Sequence, residues 1–183
     1  MPGYPQDKLE NLKAAYGFFL GHPGKKLLFM GQDFAQNSEW SEAKELDWGL
    51  MKDPGHKQVH DYMKALISLY RNHPCLYELD TEEKGFEWIS VDDADRSIFS
   101  FVRHSKDGKD NLLFVCNFTP VEREDYRVGV LKRKQHTLIL DSTWENYEEN
   151  QEIKLKPEKI EADGKAYSIA HPLKGYGVLV FKF

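Results

Sequence analysis

The chain has 183 residues, 40% hydrophobic and 13% aromatic, with a formal net charge of −5. Such a chain can bury a substantial core and is not disordered. Its acidic balance, with no basic patch in either half, excludes the electrostatic footprint of a nucleic-acid or anionic-membrane binder. The two cysteines, Cys75 and Cys116, lack any CxxC spacing, a usage that suits a reducing cytosol while leaving a single disulfide open. No apolar run approaches the about 20 residues that span a bilayer. The polar opening MPGYPQDK does not resemble a signal peptide. The expectation is a soluble, cytoplasmic protein.

Residues 1–79 read as helix, strand, loop, helix. Asp7 and Glu10 form a D-x-x-E capping pattern, and Leu9, Leu12, Tyr16, Phe19 and Leu20 follow at helical spacing. Gly21, tolerant of positive φ, and Pro23, lacking a donor, are expected to end that helix. Lys26–Met30 then reads as a strand. Its apolar residues fall on both faces, the habit of parallel strands covered on both sides. A second helix is expected over about 56–71, with Val59, Tyr62, Met63, Leu66, Leu69 and Tyr70 on one side and Pro74 halting it. A lone strand cannot satisfy its own backbone groups. Residues 1–79 therefore read as the end of a larger α/β structure.

From about Leu79 the pattern becomes short strands separated by turns. FEWISV (86–91), SIFSFVRH (97–104), NLLFVCNF (111–118), HTLILD (136–141), KAYSIAH (165–171) and GVLVFKF (177–183) are the strand candidates, with DYRVGV (125–130) weaker. Asp107-Gly108 is a strong turn signal. The absence of a helical period predicts an antiparallel sandwich over 80–183. The charged stretch 144–164 reads as a surface excursion.

Among motifs, His56 and His60 have the i, i+4 spacing of metal ligands. The residues between them are Lys-Gln-Val, with no catalytic Glu, so they read as ordinary helix histidines. Glu145, Glu148, Glu149 and Glu152 read as a solvated face. The loop after Gly31 is different. Loops leaving the carboxyl ends of α/β strands build active sites, and this one crowds Gln32, Asp33, Phe34, Asn37, Glu39 and Trp40 together. Acids and amides can bond sugar hydroxyls, and an aromatic ring can lie on a pyranose face. A surface loop with a buried Trp anchor fits the same residues.

KKLLFMGQDFAQNSEW (25–40) followed by ELDW (45–48) resembles the last barrel strand and following loop of the 1,4-α-glucan branching enzymes, in the α-amylase group, glycoside hydrolase family 13. HPCLYELD, GFEWISVDDADRSIFSFVR, NFTPV and DYRVGV stand in the family's order, so the resemblance covers essentially the whole chain. Departures are Glu148-Glu149, where the family often has paired glycines, and His171-Pro172-Leu173, in place of Pro-Pro.

The resemblance implies the C-terminal end of a (β/α)8 barrel over 1–79 and an all-β sandwich over 80–183. It implies an α-1,4-glucan substrate, such as glycogen, amylose or maltooligosaccharides, and no cofactor. The parent chemistry is a retaining transfer of a cut glucan chain to a C6 hydroxyl. The family's Asp nucleophile, Glu acid/base and third Asp belong upstream of Met1, so no residue here is expected to be catalytic. Asp33 and Glu39 lack the surrounding pocket that would raise one carboxyl's pKa. The substrate-binding candidates are Gln32, Asp33, Phe34, Glu39 and Trp40. Two alternatives stay open: a carbohydrate-binding module displaying Trp88, Trp144, Tyr147 and Tyr176, and another family 13 amylase-type enzyme. The unpaired strand 26–30 also predicts either packing of the helices onto the β-domain, loosening, or self-association.

Overall fold

A computed structural model describes residues 4–148 and 151–183. The side chains of Pro5 and Gln6 lie outside the described part, as does Glu149 of the acidic run and of the Glu-Glu departure. Among the described residues there are two α-helices and eight strands. The helices are α1 (Pro5–Gly21) and α2 (Pro54–Asn72). The strands are β1 (Phe86–Ser90), β2 (Ile98–His104), β3 (Asn111–Asn117), β4 (Arg123–Gly129), β5 (His136–Asp141), β6 (Ile153–Leu155), β7 (Ser168–Leu173) and β8 (Val178–Lys182).

The β-part is antiparallel throughout, as expected. A six-stranded sheet runs β1-β2-β3-β8-β5-β6, and β4 pairs with β7 in a second sheet. Side chains of β3 and β8 alternate between two cores, as the period of two requires. Leu112, Phe114, Cys116, Val178 and Val180 join Ala14, Tyr16 and Leu20 of α1 and Val59, Tyr62, Met63 and Leu66 of α2. Leu113, Val115, Leu179 and Phe181 instead meet Tyr126 and Val128 of β4 and Ile169 and Leu173 of β7. The large sheet is thus covered by helices on one face and by the small sheet on the other. That explains why LLFVC in β3 is apolar at every position.

The register follows the same logic. Phe101 faces Phe114 across β2 and β3, and their rings stack at 5.0 Å and 7°. Gly108, with φ 67, makes the turn of that hairpin, the conformation for which the Asp-Gly pair is suited.

Four sequence expectations are corrected. Lys26–Met30 is not a strand: no ladder pairs it, and Leu27, Phe29 and Met30 are exposed. A strand exists only through its neighbours, and none of the described strands pairs with this segment. Helix α1 begins earlier than expected, so Asp7 occupies the third helical position rather than the cap. Its carboxylate accepts the backbone N–H of Tyr4 at 3.1 Å. Gly21 ends α1 without positive φ; a Cβ there would lie 2.6 Å from the Phe114 ring, so close packing demands the glycine. Finally, the stretch 144–164 contains β6, whose pairing with β5 places Leu155 against His136. Its three residues, Ile-Lys-Leu, alternate but are too few to carry a period-two signal.

Helix α2 matches its expected face. Asp53 caps it, accepting the N–H groups of Gly55 at 2.8 Å and His56 at 3.3 Å.

Candidate functional site

The candidate loop begins at Gly31. Its φ of 80 lies in the left-handed region, and a Cβ there would sit 2.8 Å from Gln36 Cβ, so glycine is required twice over. A single 3₁₀ turn, Gln32–Phe34, follows and is closed by Ala35 at φ 58. Gln32 folds back on the chain: its Oε1 accepts Phe29 N–H at 2.8 Å and its own N–H donates to Phe29 O at 2.9 Å. Gln36 pins the far side, with Oε1 accepting Asp47 N–H at 2.8 Å and Nε2 donating to Ser38 O at 3.0 Å.

The loop is anchored to both helices. Tyr16 Oη on α1 donates to Gln32 O at 2.6 Å. Burial, with the Asp33 charge adding to it, pushes the Tyr16 phenol up to about 12, so the hydroxyl remains a donor at neutral pH. His56 on α2 meets Phe34 O through Nδ1 at 2.9 Å. A carbonyl can only accept, so the proton is on Nδ1, and the ring is a structural clamp. The reading of His56 as an ordinary helix histidine agrees with this geometry.

The five sequence candidates separate by exposure. Phe34 is fully buried and stacks on Trp48 at 5.1 Å and 29°, which makes it the anchor of the loop rather than a contact surface. Gln32 and Glu39 are exposed, and Asp33 is half-buried with Oδ2 3.4 Å from His60 Nδ1. Trp40 is 40% exposed and packs edge-on against Phe29 at 5.5 Å and 80°. The loop therefore presents carboxylates, an amide and a partly open indole on one connected segment. Such groups can bond hydroxyls and stack on a sugar ring.

Two neighbours escaped the sequence reading. Trp48 is 54% exposed although it lies on Phe34, and His60 faces Asp33. The aromatic in ELDW was the available signal for the first. Nothing in the sequence linked His60 to Asp33, because that proximity is created by α2 packing over the 3₁₀ turn.

The aromatics named for the β-part are partly buried rather than openly displayed. Trp88, Tyr147 and Tyr176 pack against the helix-side core, and Trp144 packs against the core between the sheets. Trp88 meets Phe86 at 4.9 Å and Phe101 at 5.8 Å, both edge-on. Cys75 and Cys116 are free, buried thiols, each raised well above the usual range, chiefly by burial. No helix among the described residues is long and apolar enough to cross a membrane.

Residues 88–183 match the family described as alpha amylase, C-terminal all-beta domain, and the chain belongs to that family. Its curated relatives extend the match over the N-terminal part as well. The chain is 48% identical to the 1,4-alpha-glucan branching enzyme GlgB of Butyrivibrio fibrisolvens, and 39% identical to that of Halothermothrix orenii; all of the chain and 29% of each relative are covered. Against the namesake from Gloeobacter violaceus identity is 42%, over all of the chain and 25% of the relative. The chain thus spans less than a third of the length of these relatives.

Proposed function

We propose that this chain is the C-terminal part of a 1,4-α-glucan branching enzyme acting in glycogen biosynthesis. In this reading residues 1–79 complete the catalytic (β/α)8 barrel and 80–183 form the C-terminal sandwich. The observation that carries it is the match along the whole chain, helices and loop included, to proteins named as branching enzymes. The uncovered apolar strip at 26–30 agrees with a segment built to lie among further barrel strands.

The catalytic carboxylates lie outside these residues, and the chain contributes to the glucan cleft and to its support. Gln32, Asp33 and Glu39 offer hydrogen bonds to sugar hydroxyls, Trp40 offers a stacking face, and Phe34 holds the loop from beneath. Oligosaccharides of α-1,4-linked glucose are the ligand class, and the cytoplasm is the setting.

The test has two arms. The 183-residue chain, prepared free of host enzyme, leaves the iodine colour of amylose unchanged; loss of colour would overturn the absence of catalytic groups and bring Asp33 and Glu39 back as candidates. In the full-length enzyme, Trp40→Ala lowers turnover and affinity for amylose with little change in melting temperature. A lowered melting temperature with unchanged turnover and affinity would reduce Trp40 to a packing residue.

A further inference from the structure

A cavity of about 440 Å³ lies where the N-terminal halves of α1 and α2 meet the connections that follow β3, β5 and β7. Its walls all come from this chain, and its volume falls in the range of small-ligand sites. The connection after β7 is fixed by unusual local geometry. Tyr176 has φ 53, a left-handed conformation that a bulky side chain rarely adopts. Its N–H donates to Thr119 O at 2.8 Å. Asn117 braces both sides, Nδ2 donating to Lys174 O and to Val121 O, each at 2.9 Å. Gly175 is required because a Cβ there would lie 2.4 Å from Pro120 O. Strain of this kind persists where the surroundings over-determine it, and it clusters at ligand clamps. Here it sets a half-buried tyrosine in the cavity wall.

The polar lining mixes donors and acceptors. Lys13 is 1% exposed, and its Nζ pairs with Glu10 at 2.9 Å and donates to Ser142 O at 3.0 Å. An ammonium group has three protons, which leaves the third for a ligand. Glu122 pairs with Lys174, Asp7 supplies a third carboxylate, and Gln58 adds an amide. Three carboxylates against two ammonium groups are close to balance, which suits a neutral ligand better than an anion. Paired carboxylates keep lone pairs for hydroxyl donors, while ammonium and amide N–H groups serve hydroxyl oxygens. With an aromatic ring beside them to cover C–H groups, the lining suits a polyhydroxyl molecule.

We propose that this cavity is a second glucan-binding site, which holds a short α-1,4-linked segment apart from the rim loop. His56 holds the rim loop, whereas Gln58 lines the cavity. Residues two apart on a helix point nearly opposite ways, so the two sites flank α2 across a helix diameter of about 10–12 Å. The choice of an α-1,4-glucan rests on the branching-enzyme reading; the polyhydroxyl chemistry rests on the cavity alone.

The test titrates maltoheptaose into the isotope-labelled 183-residue chain and follows the backbone amide signals. Saturable shifts are expected at Thr119, Val121, Thr143 and Lys174–Gly177, with a dissociation constant of about 1 mM. Tyr176→Asn removes the ring while keeping a residue suited to positive φ, and it weakens this binding about tenfold. Glu122 is exposed, so Glu122→Ala leaves the melting temperature close to that of the parent chain and weakens binding roughly threefold. Either variant binding like the parent chain, or no saturable shifts at the cavity, would overturn the proposal. Shifts confined to residues 32–48 would also overturn it, placing the sugar on the rim loop and leaving the branching-enzyme reading intact. Equal binding of cellotetraose would overturn the choice of α-1,4-glucan. The branching-enzyme reading stands or falls separately, on turnover of amylose by the full-length enzyme.

Discussion

Arg103 on β2, fully buried, holds the carboxylate of Asp80 through Nη2 at 2.5 Å. The same guanidinium donates to the carbonyls of Gly21 at 2.7 Å, Leu76 at 3.1 Å and Gly85 at 3.3 Å. It thereby ties the end of α1, the turn after α2 and the entry to β1 to the large sheet. The planar fork of arginine suits four such acceptors, and lysine does not reproduce it.

Arg103→Met is therefore expected to lower the stability of the chain by about 2–4 kcal/mol, because three carbonyls and a half-buried carboxylate lose their partner. Arg103→Lys recovers only part of that loss. Urea unfolding followed by tryptophan fluorescence reads both, and a loss below about 1 kcal/mol for the methionine variant would contradict this role.

Acid stability is expected to depend on His136. Its ring is buried, stacks on Phe183 at 4.5 Å, and meets Lys134 O through Nδ1 at 2.8 Å. Burial depresses its pKa from 6.5 to about 4 despite that carbonyl. The unfolded chain then binds a proton that the folded chain refuses. This contribution to stability is complete above pH 6.5 and is lost as the pH falls toward 4, by about 2–3 kcal/mol in all. His136→Gln should flatten the stability profile over that window. Equal slopes for the two proteins between pH 6.5 and 4 would assign the acid sensitivity elsewhere.

At Gly31 the expected effect is local strain. Gly31→Ala combines a left-handed φ of 80 with a contact of 2.8 Å to Gln36. It should cost about 1–2 kcal/mol. Gly49→Ala, at a position with negative φ and open space around its Cβ, should leave the melting temperature unchanged or raise it slightly. A reversed order in thermal unfolding would show that the loop tolerates another conformation.

Amide exchange should separate the two apolar runs of the chain. Leu112–Cys116 lies in β3, paired on both sides by β2 and β8, whereas the strip at 27–30 has no ladder. In dilute, monomeric protein the strip's amides of Leu27, Leu28 and Met30 exchange orders of magnitude faster than those of β3. Slow exchange in both runs of a monomer would mean that the strip has an intramolecular partner.

Where one face of a segment met one neighbouring layer, the sequence sufficed. Helix α2 shows its buried stripe in Val59, Tyr62, Met63 and Leu66, and the β2–β3 hairpin was marked by Asp107-Gly108 standing between two apolar runs. Local periodicity encodes local geometry, and the ordered motifs of the loop and β-part already pointed to the amylase-type family. Tertiary structure decided what depends on partners distant in the chain. LLFM at 27–30 and LLFVC at 112–116 look alike as apolar runs, yet only the second has strands beside it and layers above and below. Phe34 became an anchor and Trp40 stayed open because α2 and Trp48 cover one and not the other. A ladder needs a neighbour and burial needs an opposing surface, and neither is a property of the segment itself.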